Sequence, residues 1–590
     1  MRKNTKQHII YFITFLVILF VFTFPLVFKM DKAVYGPLYG TDNRAAIWHF
    51  WWFNYSAENN LNVDTNVLTN YPFGVKYMAP QIFPLCMIPA YLFSVIFNEI
   101  FAYNALILGS FILSFLCMYA LVFYLTKRHS AAFISGLIYT FSPYHINKSW
   151  EHFGLMFIEF IPLYILFLLK LKDKPNISNL IFCSLSLTLV ILSDLTYSYI
   201  IFIFSVLYIL FCVFYYLRNR YPVKEFSRLF INFFTMGILS LLMVLPLLMP
   251  SIKAAVTVSH SNDSISAAQN VAIRSFHYLF TQSASILAYL IPSKYHPLWG
   301  GLARSLEGSI FFGRGSIEQT LYLGWVGLIL SFIAIRRREN VISHVQNYSL
   351  EQTKFVKQLF LFIFISAVLI SMPPYWNLLF FKIYFPSFFL YKVFPVFRAY
   401  ARFGVLSVLS ISILAGYGFN SLMNTKHKHK FFIGLFSFLI LLDFANIPPS
   451  RVTEIDKCPP VYSWLGKQKE FFVIAEYPLT LGDMAEGYIN LDNILYQRFH
   501  RKAIIEGSEP GTLGSEIKKS ILRITDPATP KILSALGVKY VILHLNDYLA
   551  GNNKEAIDVV GETPDLSKSK DFKFINKFDN DEVYEIVANH

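Results

Sequence analysis

The chain has 590 residues, of which 55% are apolar and 15% charged, and its mean hydropathy is +0.47. A soluble protein of this length needs more polar surface than that, so a soluble globular class is excluded. The net charge of +14 comes from short basic clusters between apolar runs. This pattern excludes one continuous nucleic-acid-binding face. The composition predicts a polytopic membrane protein.

Apolar runs of about 17 to 25 residues, the length of a membrane-spanning helix, recur along the chain. The first run is too long for a signal-peptide core, so we expect it to remain as an uncleaved helix. Basic clusters such as "RNRYPVKEFSR" and "KHKHK" fall on one side if the spans alternate, which puts the N-terminus in the cytoplasm. We predict about eleven spans, near residues 9–28, 101–125, 130–147, 153–171, 177–194, 198–217, 227–249, 321–335, 357–372, 403–422 and 430–446.

Two further apolar segments, 82–98 and 376–394, contain internal proline. If either segment crossed the membrane alone, the later basic clusters would change sides. We therefore predict that both are re-entrant or interfacial helices.

The fold class predicted is mainly α, a transmembrane bundle over residues 1–446 followed by an extracytoplasmic α/β domain over 447–590. The bundle includes a first external loop at 29–100, with interfacial helices, and a long external loop at 250–320. After residue 447 the periodicity changes, and "FFVIAEYPL", "VKYVILHL", "FKFINKF" and "VYEIVA" are typical of strands. The five cysteines form no CxxC pair and indicate no disulfide framework.

The stretch "YGTDNRAAIWHFWWFN" places Asp42 between the first span and an aromatic run. Thr41, Asp42 and Asn43 are typical of a helix N-cap. The tryptophans that follow have the spacing of an interfacial helix on the membrane surface. A carboxylate at the start of such a helix can also face a cleft, so a cap and a catalytic group both remain open.

Charged groups beside apolar runs are costly unless they are paired or functional. In "SPYHINKSWEHFG", His145 and His152 are about 10 Å apart on a helix, too far to share one metal ion. Glu151 or His152 could instead act with Asp42 from the other loop. Arg398 and Arg402 are four residues apart, so a shared helix face there could bind phosphate or snorkel to lipid headgroups.

An ordered set of segments resembles the GT-C superfamily of membrane glycosyltransferases, close to its YfhO-like and dolichyl-phosphate-mannose mannosyltransferase groups. The segments are "GTDNRAAIWHFWWFN" with "TNYPFGVKY", "FSPYHINKSWEHFGLMFIEFIPL", "EQTLYLGWVGLIL", "FPVFRAYARFGVLSVL" and "ALGVKYVILH". The resemblance implies a polyprenyl-phosphate-linked sugar donor, membrane lipids as surroundings, a glycan, lipid or protein acceptor, and no nucleic acid. It also implies a multi-pass protein of the cytoplasmic membrane that catalyses inverting sugar transfer.

Carried onto this chain, the family's first-loop acidic residue is Asp42, which would act as the catalytic base. The candidates for binding substrate or phosphate are Arg44, Arg314, Arg398 and Arg402, and the secondary candidates are His145, Glu151, His152 and Glu318. The chain lacks a WWDYG-type motif, and its second loop has no DxD. A divalent metal therefore stays open but is not favoured. The competing hypotheses are a lipid or polysaccharide transporter or flippase, and a non-catalytic scaffold for envelope assembly.

Overall fold

The computed structural model describes the chain in segments. They are residues 2–38, 41–76, 85–259, 276–309, 312, 317–337, 350–378, 381–423, 429–448, 450–479, 491–507, 512–549 and 563–587. The α-helices of the N-terminal part are α1 (Arg2–Thr23), α2 (Thr41–Glu58), α3 (Met87–Ile96), α4 (Glu99–Thr126), α5 (His129–Thr140), α6 (Pro143–Glu151), α7 (Phe160–Asp173), α8 (Ile177–Ser193), α9 (Leu195–Arg218) and α10 (Val223–Ser259).

The later helices are mostly shorter. They are α11 (Tyr278–Thr281), α12 (Gly300–Leu306), α13 (Trp325–Arg336), α14 (Leu350–Ser371), α15 (Pro386–Val393), α16 (Gly404–Leu422), α17 (His429–Asp443), α18 (Pro460–Lys467), α19 (Leu491–His500), α20 (Leu513–Ser520), α21 (Thr529–Ala535) and α22 (Leu545–Leu549). The strands are β1 (Ala33–Tyr35), β2 (Thr65–Asn66), β3 (Val75–Lys76), β4 (Tyr375–Leu378), β5 (Phe381–Tyr384), β6 (Val452–Glu454), β7 (Val473–Tyr477), β8 (Ala503–Ile504), β9 (Val538–His544), β10 (Phe572–Phe578) and β11 (Asp581–Ile586).

The helical part has the character of a membrane bundle. Six stretches of helix in the described residues are long and apolar enough to cross a membrane: Thr5–Thr23, Glu99–Thr126, Leu195–Arg218, Val223–Leu247, Leu350–Ser371 and Tyr400–Leu422. At the centre, α16 is buried at every position from Gly404 to Phe419. A Cβ at Gly418 would overlap the carbonyl of Leu330, so glycine lets α13 and α16 approach closely. The mainly α class is confirmed, and the number of spans stays a prediction.

Two predicted elements differ from the structure. Residues 130–147 form no single helix, because α5 ends at Thr140 and a new helix, α6, begins at Pro143. The side chain of Ser142 caps α6 by accepting from the N–H of His145. The segment 376–394 forms the β4–β5 hairpin and α15 rather than one helix, and the segment 82–98 is described only from residue 85.

The C-terminal strands form a five-stranded sheet of order β10-β11-β9-β7-β8. Strands β9, β7 and the edge strand β8 are parallel, whereas β11 runs antiparallel to β9 and to β10. All four strands predicted from the sequence are present, and α18 and α21 flank them in the chain. The predicted α/β character is confirmed. The domain boundary at residue 446 stays a prediction.

The C-terminal sheet docks on the first loop. Trp48 of α2 donates its indole N–H to Gln497 Oε1 at 3.0 Å, and Gln497 donates to the carbonyl of Leu68 at 2.9 Å. The backbone N–H of Ile504 in β8 also donates to that carbonyl, at 2.8 Å. Trp48 and Trp52 are buried within the protein, so the prediction that this aromatic face lies on the membrane is wrong. The domain fixes α2 from one side.

Candidate active site

A buried carboxylate, Glu318, is the centre of a cluster of charged side chains. Its side chain is 7% exposed. Lys148 Nζ lies 2.6 Å from Oε2, and Arg402 Nη2 lies 2.6 Å from Oε1. His152 Nε2 lies 3.1 Å from Oε1. One carboxylate therefore faces a lysine, an arginine and an imidazole.

Asp42 joins this cluster through His152. The Nδ1 atom of His152 lies 3.0 Å from Asp42 Oδ2, so the imidazole bridges Asp42 and Glu318. The side chain of Asp42 is 49% exposed, against 24% for His152. Since α2 begins at Thr41, Asp42 lies inside the first turn of the helix and not before it. In the first turn, its negative charge is stabilised by the positive end of the helix dipole. The cluster runs from a buried centre at Glu318 to an accessible carboxylate at Asp42.

Four chain segments meet at this place. The short 3-10 turns Ile317–Gln319 and Tyr400–Phe403 supply Glu318 and Arg402, and the end of α6 supplies Lys148 and His152. Asn43 Nδ2 donates to the carbonyl of Ser149 at 3.2 Å and so holds the first turn of α2 beside α6.

Arg402 is held by further contacts. Its Nη1 donates to Thr196 Oγ1 at 3.2 Å, and its carbonyl accepts from the hydroxyl of Tyr144 at 3.4 Å. The N–H of Thr196 in turn donates to Asp194 Oδ1 at 2.7 Å. These contacts fix the orientation of the guanidinium, on a side chain that is 21% exposed.

The charges set the proton affinities of the cluster. Burial by itself would raise the pKa of Glu318, but Arg402, Lys148 and His152 hold it well below its usual range. Burial and Lys148 oppose protonation of His152, yet the hydrogen bonds that its ring donates to Asp42 and Glu318 raise its pKa above the ordinary value. Burial also raises the pKa of Glu151, against the effect of His152 and Lys148. Relative to the free side chains, the cluster therefore favours the ionised form of Glu318 and the imidazolium form of His152.

The other predicted site residues lie elsewhere or at the edge. His145 is buried, with Nε2 at 3.3 Å from Ser110 Oγ and Nδ1 at 2.9 Å from the carbonyl of Thr140, so it shares no partner with His152. Glu151 lies beside the cluster within electrostatic range of Lys148. Arg44 is half-buried in the first turn of α2.

The prediction that Arg398 and Arg402 share a helix face is wrong. Helix α16 begins only at Gly404. Arg398 lies outside any helix or strand, before the 3-10 turn, with its guanidinium 5.7 Å from the ring centre of Tyr278, while Arg402 contacts Glu318. Arg314 lies outside the described residues.

Lys148 was the functional candidate that the sequence analysis did not assign. It lies in the last turn of α6, four residues before His152, which is the residue that ends the helix. Its closeness to His152 in sequence was the one indication that Lys148 could belong to the site. A lysine near a predicted span is usually interpreted as reaching to lipid headgroups instead.

We predict that the His152 bridge makes stability depend on pH. The pKa of His152 is raised above 6.5, so its stabilising contribution is present below that value and is lost as the pH rises through the raised pKa. The melting temperature of the detergent-purified protein should therefore fall over this window, and should fall less in His152→Gln. The variant His277→Gln, an exposed histidine outside the cluster, should behave as wild type. Identical pH profiles for wild type and His152→Gln would contradict the bridge.

No protein-family model and no curated protein matches the chain. It is similar to solved structures of an oligosaccharyltransferase from Archaeoglobus fulgidus. One is the archaeal oligosaccharyltransferase AglB in complex with an inhibitory peptide and a dolichol-phosphate, at 12% identity and a TM-score of 0.49, covering 91% of this chain and 69% of that chain. Another is the complex with Zn and sulfate, also at 12% identity and a TM-score of 0.49, covering 96% and 71%. The function proposed below rests on this chain's own residues.

Proposed function

We propose that this protein is a membrane glycosyltransferase of the GT-C kind. It moves a sugar from a polyprenyl-phosphate-linked donor to a hydroxyl of a glycan, lipid or protein acceptor at the outer face of the cytoplasmic membrane. One observation carries the proposal: Asp42, a half-exposed carboxylate, is joined by His152 to the buried Glu318, which also holds the partly exposed Arg402. Sugar transfer from a phosphate donor needs a base and a cation in the same place.

The chemistry assigns a role to each group. Asp42 takes the proton of the acceptor hydroxyl as its oxygen forms a bond to the anomeric carbon. The bond from that carbon to the phosphate oxygen breaks, and its electron pair stays on the phosphate. Arg402 faces the growing negative charge, and its planar guanidinium matches phosphate oxygens. Attack from the side opposite the leaving group inverts the anomeric centre.

His152 acts as a positioning residue for Asp42. Its imidazole is held from the other side by Glu318 at 3.1 Å. The contact with this fixed imidazole restricts rotation of the Asp42 carboxylate. Holding a base in position beside the acceptor lowers the entropic cost of bringing the reacting groups together. Arg44, Arg398 and Arg314 are further candidates for binding the donor phosphate.

The proposed orientation puts the N-terminus in the cytoplasm and the C-terminal domain outside. We predict that alkaline phosphatase, which is active only outside the cytoplasm, is active when fused after residue 590. It should be inactive when fused between α9 and α10 near residue 220, within a basic cluster. The reverse pattern of activity would contradict this orientation.

We predict that Asp42→Asn lowers sugar transfer by roughly 10²–10⁴-fold, because an amide cannot take the acceptor proton. The assay follows label from a polyprenyl-phosphate-linked hexose into envelope preparations from a deletion strain. Expression and melting temperature in detergent show whether the variant is folded.

The matched control is Asp64→Asn, which removes an exposed carboxylate from the same loop and should transfer sugar as wild type does. Full activity in a folded Asp42→Asn protein would overturn the role of Asp42. Equal losses in both variants would point to a general effect of charge in the loop.

A further inference from the structure

Asp42, His152 and Glu318 are of the residue types that bind divalent cations. Their contacts do not suit that role. Both ring nitrogens of His152 face carboxylate oxygens, Nδ1 towards Asp42 and Nε2 towards Glu318. Both nitrogens donate in the imidazolium form, which has no lone pair for a metal.

The oxygens of Glu318 are also occupied. Lys148 lies on Oε2, while Arg402 and His152 lie on Oε1. In the part of the chain that the structure describes, no three His, Cys, Asp or Glu side chains are placed to hold one metal ion. The donor set in this cluster therefore does not fit a divalent cation.

Lys148 is built into this position. Its side chain is 1% exposed, which is rare for a lysine unless the charge is paired. Its ammonium lies 5.9 Å from the ring centre of Tyr144, on the same helix. A buried carboxylate without a cation would be strongly destabilising, and Lys148 supplies that cation from inside the protein.

We propose that Lys148 takes the place of a divalent cation in this site, so that the site assembles and transfers sugar without metal. This inference rests on the proposed function. Lys148 neutralises Glu318 from the buried side and acts as a positioning residue. Glu318 can then hold Arg402 and His152 on its other oxygen, with Arg402 left to face the donor phosphate.

In the proposed reaction, the proton and the electron pair each have a defined acceptor. The acceptor proton goes to Asp42, and the electron pair of the broken bond goes to the phosphate, whose charge meets Arg402. Lys148 neither gains nor loses a proton in this step. Its removal would leave Glu318 with only Arg402 and His152, which would draw the guanidinium inward and weaken its contact with the donor.

The test uses the full-length protein in two measurements. Wild-type sugar transfer is measured with EDTA and with added Mn²⁺, and the melting temperature is followed as Mn²⁺ is titrated. We expect transfer to stay within 2-fold, on the order of assay scatter, and no saturable rise in melting temperature, because the nitrogens of His152 and the oxygens of Glu318 already have partners. Loss of transfer in EDTA with recovery in Mn²⁺, or saturable stabilisation by Mn²⁺ that Glu318→Gln removes, would overturn the inference.

The second measurement compares Lys148→Met with Lys148→Arg. Met has a similar length without the charge, so we expect transfer to fall by about 100-fold or more, a loss typical of a removed electrostatic stabiliser. Transfer by Lys148→Met should fall equally with and without Mn²⁺, and Lys148→Arg should retain more of the wild-type rate than Lys148→Met does. Wild-type transfer by Lys148→Met would overturn the inference.

The control is Lys294→Met, which removes the lysine of an exposed pair with Glu307 in another loop and should leave transfer unchanged. If Lys148→Met does not fold, the wild-type metal measurements decide. If wild type transfers no sugar with or without metal, the proposed function fails, while the Mn²⁺ titration still tests the donor set.

Discussion

The structure depends on one electrostatic constraint, the neutralisation of the buried Glu318 carboxylate. An uncompensated buried charge costs about 3–5 kcal/mol when its partner is removed. Lys148 and His152 at the end of α6, and Arg402 before α16, meet this requirement. Because each partner is fixed to Glu318, the same contacts that stabilise the fold also set the geometry of the proposed site.

A second constraint acts on α2. Its first turn is tied to α6 through Asn43 and Ser149, and its middle is tied to the C-terminal domain through Trp48 and Gln497. A buried ion pair, with Arg498 Nη1 at 2.7 Å from Glu99 Oε1, joins that domain to the start of α4. The C-terminal domain therefore supports the helix that carries Asp42.

Much of the fold was predictable because it follows local pattern. The apolar runs and the alternating strands near the C-terminus were visible in sequence, and "SPYH" contained the cap and proline that separate α5 from α6. The pairing of charges was not visible. Asp42 and His152 are 110 residues apart, and Arg402 and Glu318 are 84 apart, so their contacts depend on how the bundle closes. The prediction that Arg398 shares a helix face with Arg402 rested on sequence spacing alone. It was wrong because an i,i+4 pair shares a face only where the chain is helical.

The most direct test of the central claim is an experimental structure of the protein with a non-hydrolysable polyprenyl-phosphate sugar analogue. We predict that the phosphate contacts the guanidinium of Arg402 and that the anomeric carbon lies beside Asp42, with Lys148 still on Glu318. A donor analogue bound elsewhere in the bundle, with Asp42 facing solvent, would contradict the proposed site.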